Sequence, residues 1–411
     1  MKTALVHYWL VNQRGGEAVL EAIGELLPQA DLYAHVINPA TLYGSLVGRR
    51  SHETFIGSLP FSRRKHQLYL LLMQMALENL ALDEYDLIVS SEAGPAKYVI
   101  PKPEAYHICY CHSPMRYLWD QREQYLGKIP QPFRIVAQIL AGRLRRSDVM
   151  SATRVDQFVA NSEFVKKRIW RYYRREAEVI YPPVNLDSFA PVDSPDDYYL
   201  VAGELRSYKR VDLAIQACNK LGRRLVVIGS GPDAALKKMA GPTVEFLGRV
   251  SDSVFREKLA NCRALLFPGV EDFGIVPVEA MASGRPVIAF ARGGALESVE
   301  DGVSGLFFDE PTVESLVRSM EIFESEEASF KSSNCVARAQ RFSRQRFLDR
   351  FDALLASSVA GYASRTMKNP FMVRSVLQYD GARSLVSPAV LDGPPLGAPA
   401  PLFGSAVPGA E

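Results

Sequence analysis

Short, mostly apolar runs alternate with helical patterns along almost the whole chain, and this rhythm limits the fold more than any other feature. Thr3 to Tyr8, Leu32 to Ile37, Asp86 to Ser90, Tyr106 to Cys111 and Gln157 to Ala160 read as strands. Tyr199 to Ala202, Leu225 to Ile228, Val244 to Leu247, Ala264 to Phe267 and Val287 to Phe290 read likewise. A run such as Ala264-Leu265-Leu266-Phe267 has no polar face, which suits a strand covered on both sides in a parallel sheet. Strand and helix in alternation imply βαβ units. The predicted class is therefore α/β. The prolines of Tyr181-Pro182-Pro183-Val184 interrupt regular structure and divide the chain into two such series. Its 411 residues are enough for two domains of ordinary size.

Beyond the second series, Phe347, Phe351, Leu354 and Leu355 form an apolar stripe at helical spacing. The pattern fades after about Tyr362, and from Ser387 the chain is rich in Pro, Gly and Ala. Such a composition builds no packed core, so 363–411 is predicted to be a disordered tail. Elsewhere the balance is globular, with 47% hydrophobic and 23% charged residues, and a net charge of +2 implies no acidic polymer and no nucleic acid as partner. Five cysteines, an odd and sparse set, argue against a disulfide framework and for a reducing compartment. The opening residues look superficially like a signal peptide, but His7, Arg14 and Glu17 break it, and it reads better as a first strand. No run approaches the roughly 20 apolar residues of a spanning helix. The expected location is cytoplasmic, with peripheral contact at the inner face of the plasma membrane.

The chemistry concentrates in Glu271-Asp272-Phe273-Gly274-Ile275-Val276-Pro277-Val278-Glu279, where two carboxylates stand with seven residues between them. Pro277 suits the first position of a helix, which puts Glu279 in that helix's first turn and Glu271 on the loop leaving a strand. Such loops are where open α/β sheets bind ligands. Ionised carboxylates only accept hydrogen bonds and so suit the hydroxyls of a polyol. The amides of Phe273, Gly274 and Ile275, beside a helix N-terminus, suit a phosphate or sugar oxygen. An ordinary helix start with acidic dipole complements is the plainer alternative.

This segment resembles the E-x7-E signature of retaining glycosyltransferases of family 4, with Phe-Gly-Ile after the first acid and Glu-Ala-Met-Ala-Ser-Gly-Arg-Pro-Val-Ile from the second. The resemblance extends from the N-terminus to about Leu355. It implies the GT-B architecture, two doubly wound Rossmann-like domains facing across a cleft. Residues 1–183 would be the acceptor-binding domain, 184–345 the nucleotide-sugar-binding domain, and 346–362 a helix crossing back to the first. It further implies that Glu279 accepts from the ribose and that Glu271 orients the donor sugar with the amides at Phe273, Gly274 and Ile275. Gly248, Arg249 and Val250 would bracket the nucleobase. Lys209 would stabilise the departing diphosphate. The family's companion arginine is Glu204 here, a charge reversal, which leaves Arg206 or Arg210 to replace it. From the first domain, Gly15 and Gly16 would face the donor phosphate and His112, in Tyr110-Cys111-His112-Ser113-Pro114, would contact the transferred sugar.

Other segments are less specific. Cys109 and Cys111 lack the second ligand pair of a structural zinc site and read as core residues. Ser162 reads as a helix cap. Gly229-Ser230-Gly231-Pro232 reads equally as a phosphate loop or a tight turn, and Gly293, Gly294 and Glu297 as donor neighbours or core support. Arg63-Arg64-Lys65-His66, followed by apolar residues, and Lys166 to Arg175, interleaved with Trp170, Tyr172 and Tyr173, have the character of anionic-membrane contacts or of solvated faces.

The expected function is retaining transfer of a hexosyl group without metal or other cofactor. The strings around His112 and Lys209 look most like bacterial mannosyltransferases of polysaccharide assembly. GDP-mannose is therefore the expected donor and a polyprenyl diphosphate-linked glycan the expected acceptor. Three rivals stand beside it: a UDP-hexose donor, a nucleotide-sugar epimerase of the same layout, and a non-catalytic protein that binds donor or glycan.

Overall fold

The computed structural model describes residues 1–127 and 129–366. Thirteen strands form two parallel sheets among the described residues. The first contains β1 (Thr3–His7), β2 (Asp31–Ala34), β3 (Ser51–Glu53), β4 (Leu87–Glu92), β5 (Tyr106–Cys111), β6 (Gln157–Ala160) and β7 (Ala177–Val179), in the order β3-β2-β1-β4-β5-β6-β7. The second contains β8 (Tyr199–Ala202), β9 (Leu225–Ile228), β10 (Val244–Gly248), β11 (Ala264–Phe267), β12 (Val287–Phe290) and β13 (Gly305–Phe308), in the order β10-β9-β8-β11-β12-β13. Each sheet reverses its strand order once, between β1 and β4 and between β8 and β11. The loops leaving those strands are where a doubly wound sheet opens a crevice for ligand.

The ten strands read from the sequence are all present, within a few residues of the expected ends. β3, β7 and β13 lie at sheet edges. β3 and β7 are three residues long, partly exposed and without a continuous apolar run, whereas β13, Gly-Leu-Phe-Phe, is apolar throughout its four residues. β2 stops at Ala34 because the His35 amide turns to the Tyr8 carbonyl, 3.1 Å away.

The chain passes between the domains twice, side by side. The Val184 amide donates to the Phe342 carbonyl and the Arg344 amide to the Val184 carbonyl, each at 3.1 Å. The helix after the second passage, Arg344–Thr366, is longer at both ends than the 346–362 expected, so 363–366 is helical rather than tail. The remainder of the expected tail lies outside the described residues. Phe347, Phe351, Leu354 and Leu355 are buried in the first domain's core, against Leu5, Val89 and Ile108 of its central strands. Arg344 anchors the helix start to Glu21 and Glu25, at 2.8 and 2.6 Å. All five cysteines are buried free thiols, and on β5 burial pushes Cys109 and Cys111 well above the usual thiol range. No helix of the described residues is long and apolar enough to cross a membrane.

Candidate active site

Both switch points open onto one cleft of about 510 Å³. Tyr8, Arg14, Gly15, Gly16, His112 and Arg116 line it from the first domain, and Tyr208, Glu271, Asp272 and Phe273 through Val276 from the second. Seven of the sequence-derived site residues therefore share one wall-to-wall space: Gly15, Gly16, His112, Glu271, Phe273, Gly274 and Ile275.

On the second domain, the loop after β11 reaches a helix that runs Ile275–Ala282. The sequence places its start at Pro277. It begins two residues earlier because Gly274, at φ 85°, turns the chain in a way other residues resist. Pro277 then occupies the third helical position, where no intrahelical acceptor is lost. Glu279 consequently stands in the second turn, not the first. It is half-buried, and burial, followed by the Asp252 charge, pushes its carboxyl up to about 7. Asp252 begins the helix after Gly248, Arg249 and Val250, so Glu279 faces that region; neither it nor those three residues line the cleft itself. The Gly248 carbonyl accepts from the Gly229 amide at 2.8 Å, and the Ser230 carbonyl from the Leu205 amide at 2.9 Å. The Gly229 turn thus ties the loops together.

Lys209 lies beside the cleft with its Nζ 2.8 Å from Glu271 Oε1. Of the two arginines weighed as replacements, Arg210 is held by Asp212 at 3.0 Å, and Arg206 is exposed and contacts Glu204 at 3.3 Å. The cation that meets Glu204 from across the cleft is Arg14, at 2.9 Å, from the first domain's glycine loop.

On the first domain, the β4–β5 register sets Ser91 beside Tyr110. This brings Ser91 Oγ to 2.9 Å from His112 Nε2. Asn161 Nδ2 donates to the His112 carbonyl at 2.9 Å. Burial, opposed by the Asp272 charge, lowers His112 to about 4. It is therefore a neutral imidazole at pH 7, suited to hydrogen-bonding a hydroxyl rather than pairing with phosphate. Gly15 and Gly16 open the helix Gly15–Leu26, whose N-cap residue, Arg14, makes no side-chain cap. The free amides of that helix end suit an anion.

Several residues at the domain contact escaped the sequence reading. Asp272, next to Glu271, is gripped from the first domain by Arg116 at 2.9 Å and Arg168 at 2.6 Å. Arg168 also pairs with Asp120 at 2.7 Å. Ser162 accepts from the Val165 amide, as a cap should, and reaches the Asp272 carbonyl at 2.6 Å. Glu297 accepts from the Glu163 and Phe164 amides at 2.8 and 3.0 Å, so this second-domain acid caps a first-domain helix, Glu163–Tyr173. The basic run Lys166 to Arg175 divides between two roles. Arg168 and Tyr173 are buried and Arg175 binds the Ala152 and Val155 carbonyls within the first domain, while Lys167, Trp170, Arg171 and Arg174 stay exposed, so one side of the segment braces the domain contact and the other faces outward. Asp272 adjoins the motif and was open to suspicion. Its partners lie 156 and 104 residues away, beyond any local pattern.

Comparison with known proteins agrees with this geometry. Residues 13–188 match the family described as Glycosyltransferase Family 4, and 187–342 match Glycosyl transferases group 1. The alpha-1,3/1,6-mannosyltransferase ALG2 of Candida glabrata is 26% identical over 48% of this chain and 58% of its own length. The D-inositol 3-phosphate glycosyltransferase of Mycolicibacterium smegmatis is 29% identical over 51% of this chain and 55% of its own. The chain thus spans little more than half the length of these relatives. Anabaena HepE in complex with UDP and glucose superposes with a TM-score of 0.64 at 18% identity, covering 87% of this chain and 100% of that one; this likeness concerns the fold. With two adjoining family matches laid over two parallel-sheet domains and their common cleft, the chain belongs to the family 4 glycosyltransferases of GT-B fold.

Proposed function

We propose that this glycosyltransferase moves a hexosyl group, mannose from GDP-mannose, with retention of configuration onto a lipid-linked glycan, without a metal ion. The observation that carries the reading is the meeting of Glu271, the Phe273–Ile275 segment, His112 and the Gly15-Gly16 helix end in one cleft. Glu279 would accept from the ribose hydroxyls, with Gly248, Arg249 and Val250 at the base. Glu271 and the loop amides would orient the sugar. Lys209, paired with Glu271 at 2.8 Å, would turn toward the diphosphate as charge develops on the leaving oxygen. The Gly15 and Gly16 amides would meet the same phosphates from the other side. His112, being neutral, would hold a sugar hydroxyl. The acceptor oxygen would attack from the face the diphosphate leaves, and that phosphate would take the acceptor's proton. Domain closure supplies proximity and excludes water.

Mannose is favoured by the names of the ALG2 relatives. A UDP-hexose is the second reading, favoured by the UDP and glucose bound in HepE. Calorimetric titration with GDP and UDP, in the presence of EDTA, separates them. Tight GDP binding, with label transferred from GDP-mannose and lost in Glu279→Ala, is the expected result. Preference for UDP would replace the donor. Full activity in Glu279→Ala would remove the assigned site.

A further inference from the structure

Beside the cleft the first domain holds a second cavity, a groove of about 470 Å³. Trp9, Leu70, Met73, Leu140, Ala141 and Leu144 line it, and no charged side chain does among the described residues. Ala93, Tyr117 and Tyr125 border both spaces, so the groove opens directly onto the cleft. Two helices form its sides, Leu70–Glu78 and Gln131–Ala152. Neither is covered on its outer surface. Phe133, Ile135, Val136 and Ile139 are each more than half exposed, as are Leu68 and Leu71 on the other side. An apolar surface this extensive, rimmed by polar residues, marks an interaction site. A helix apolar on more than one face is out of place in water. The same segments carry Arg64, Lys65, Arg143 and Arg146, exposed cations that form no ion pair among the described residues.

We infer that this groove holds the hydrocarbon chain of a phosphate-linked lipid, the acceptor's anchor, and leads its head into the cleft past Tyr117 and Tyr125. The inference rests on the lipid-linked acceptor proposed above and gives it a place. Three properties select this occupant. The groove has no charge to match a peptide or glycan. It is continuous with the site where the lipid's glycan must react. Its surroundings combine exposed apolar side chains with unpaired cations, which matches an acyl or prenyl chain drawn from an anionic bilayer.

Equilibrium dialysis of the full chain against farnesyl phosphate, with inorganic phosphate in parallel, tests the assignment. Farnesyl phosphate should bind and inorganic phosphate should not. Ala141→Trp, which fills the groove, should weaken farnesyl phosphate at least tenfold and leave nucleotide binding unchanged. A diazirine-bearing farnesyl phosphate on the unaltered protein should label Leu70–Glu78 or Gln131–Ala152, which keeps the test open if the Trp variant does not fold. Equal binding by Ala141→Trp, or labelling confined to other segments, overturns the inference. So does absence of binding by the full chain, as when a second copy or residues 367–411 cover the groove. Nucleotide binding measured alongside separates the two claims. Prenyl binding without nucleotide binding would refute the transfer reading alone, and the reverse would refute the groove alone.

Discussion

The two walls of the cleft are built in different ways. The second domain's wall is largely main chain: loops leaving β8, β9, β11 and β12 lie backbone against backbone, with the Gly294 amide donating to the Glu271 carbonyl at 3.0 Å. The first domain's wall is largely side chain: His112, Arg116, Tyr117 and Tyr125 project into the cleft from elements held by buried polar groups. A wall of main chain has little freedom in shape, and it suits the part of a substrate that stays constant. A wall of side chains can be altered residue by residue, and it suits the part that varies.

The largest expected effect tests the first domain's support. Lys97 is fully buried, 3.0 Å from Glu92 and 2.5 Å from Asp148, whose other oxygen accepts from Trp119 and Tyr173. Burial, opposed by Lys97, pushes Glu92 up to about 7. Lys97→Met would leave two buried acids without their cation. Breaking such a pair from one side typically costs about 3–5 kcal/mol. Thermal or urea unfolding should show a loss of that size. A loss below about 1 kcal/mol would mean that this network does not hold the wall.

The next tests the second domain. A Cβ at Gly294 would lie 2.3 Å from Phe273 Cα and 2.5 Å from its carbonyl oxygen. Neither atom can yield without moving the loop that carries Glu271 and the donor amides. Gly294→Ala should therefore reduce kcat/KM by about a hundredfold, the scale of a 1 Å displacement at a site. Near-normal rates would show that the loop tolerates displacement and that the contrast between the walls is overstated.

This contrast also explains what was legible in the sequence. Main-chain geometry leaves local signatures: glycines, a helix-start proline and apolar strands, all within a few residues of one another. Hence β8 to β12 and the Phe273–Ile275 segment could be read directly. Side-chain geometry depends on partners far along the chain. Arg168 read as one of six cations in a surface run, and only the fold brings it to Asp272, 104 residues away. Glu279 stands two residues deeper in its helix than expected because Gly274, not Pro277, sets the helix start. β3 and β7 were missed because edge strands need no apolar run; β13, Gly-Leu-Phe-Phe, has one and was open to being read.

A smaller effect follows from Glu279. Its carboxyl is raised from 4.5 to about 7 in the folded protein. The folded state therefore binds this proton more tightly than the unfolded chain, so the group's contribution to stability is fully present below about pH 4.5 and is lost as pH rises to about 7. Ribose hydroxyls donate, and so favour the ionised form. Nucleotide affinity should thus rise as pH passes through about 7 and then level off. Glu279→Gln should bind about tenfold more weakly, the scale of a hydrogen bond to a charged group, and should lose the pH dependence. Calorimetry from pH 6 to 8 would detect this, and an unchanged slope in Glu279→Gln would assign the titration elsewhere.

The smallest effect concerns the pair that joins the walls. Arg14 and Glu204 are 2.9 Å apart with side chains 60% and 35% exposed. Such a pair contributes at most about 1 kcal/mol, so neither single variant should change stability much. Donor KM is the more sensitive measure. If Arg14 only neutralises Glu204, Arg14→Ala should weaken the donor because a bare carboxylate then faces the diphosphate, and the added Glu204→Ala should restore affinity. If Arg14 itself meets the diphosphate, the double variant should stay as weak as Arg14→Ala, by about two- to fivefold, while Glu204→Ala alone should bind at least as well as the unaltered protein. The second result is expected, because Arg14 and the Gly15-Gly16 amides line the cleft together and Glu204 does not line it. A fully restored double variant would return the donor phosphates to the second domain alone, with Lys209 as their cation.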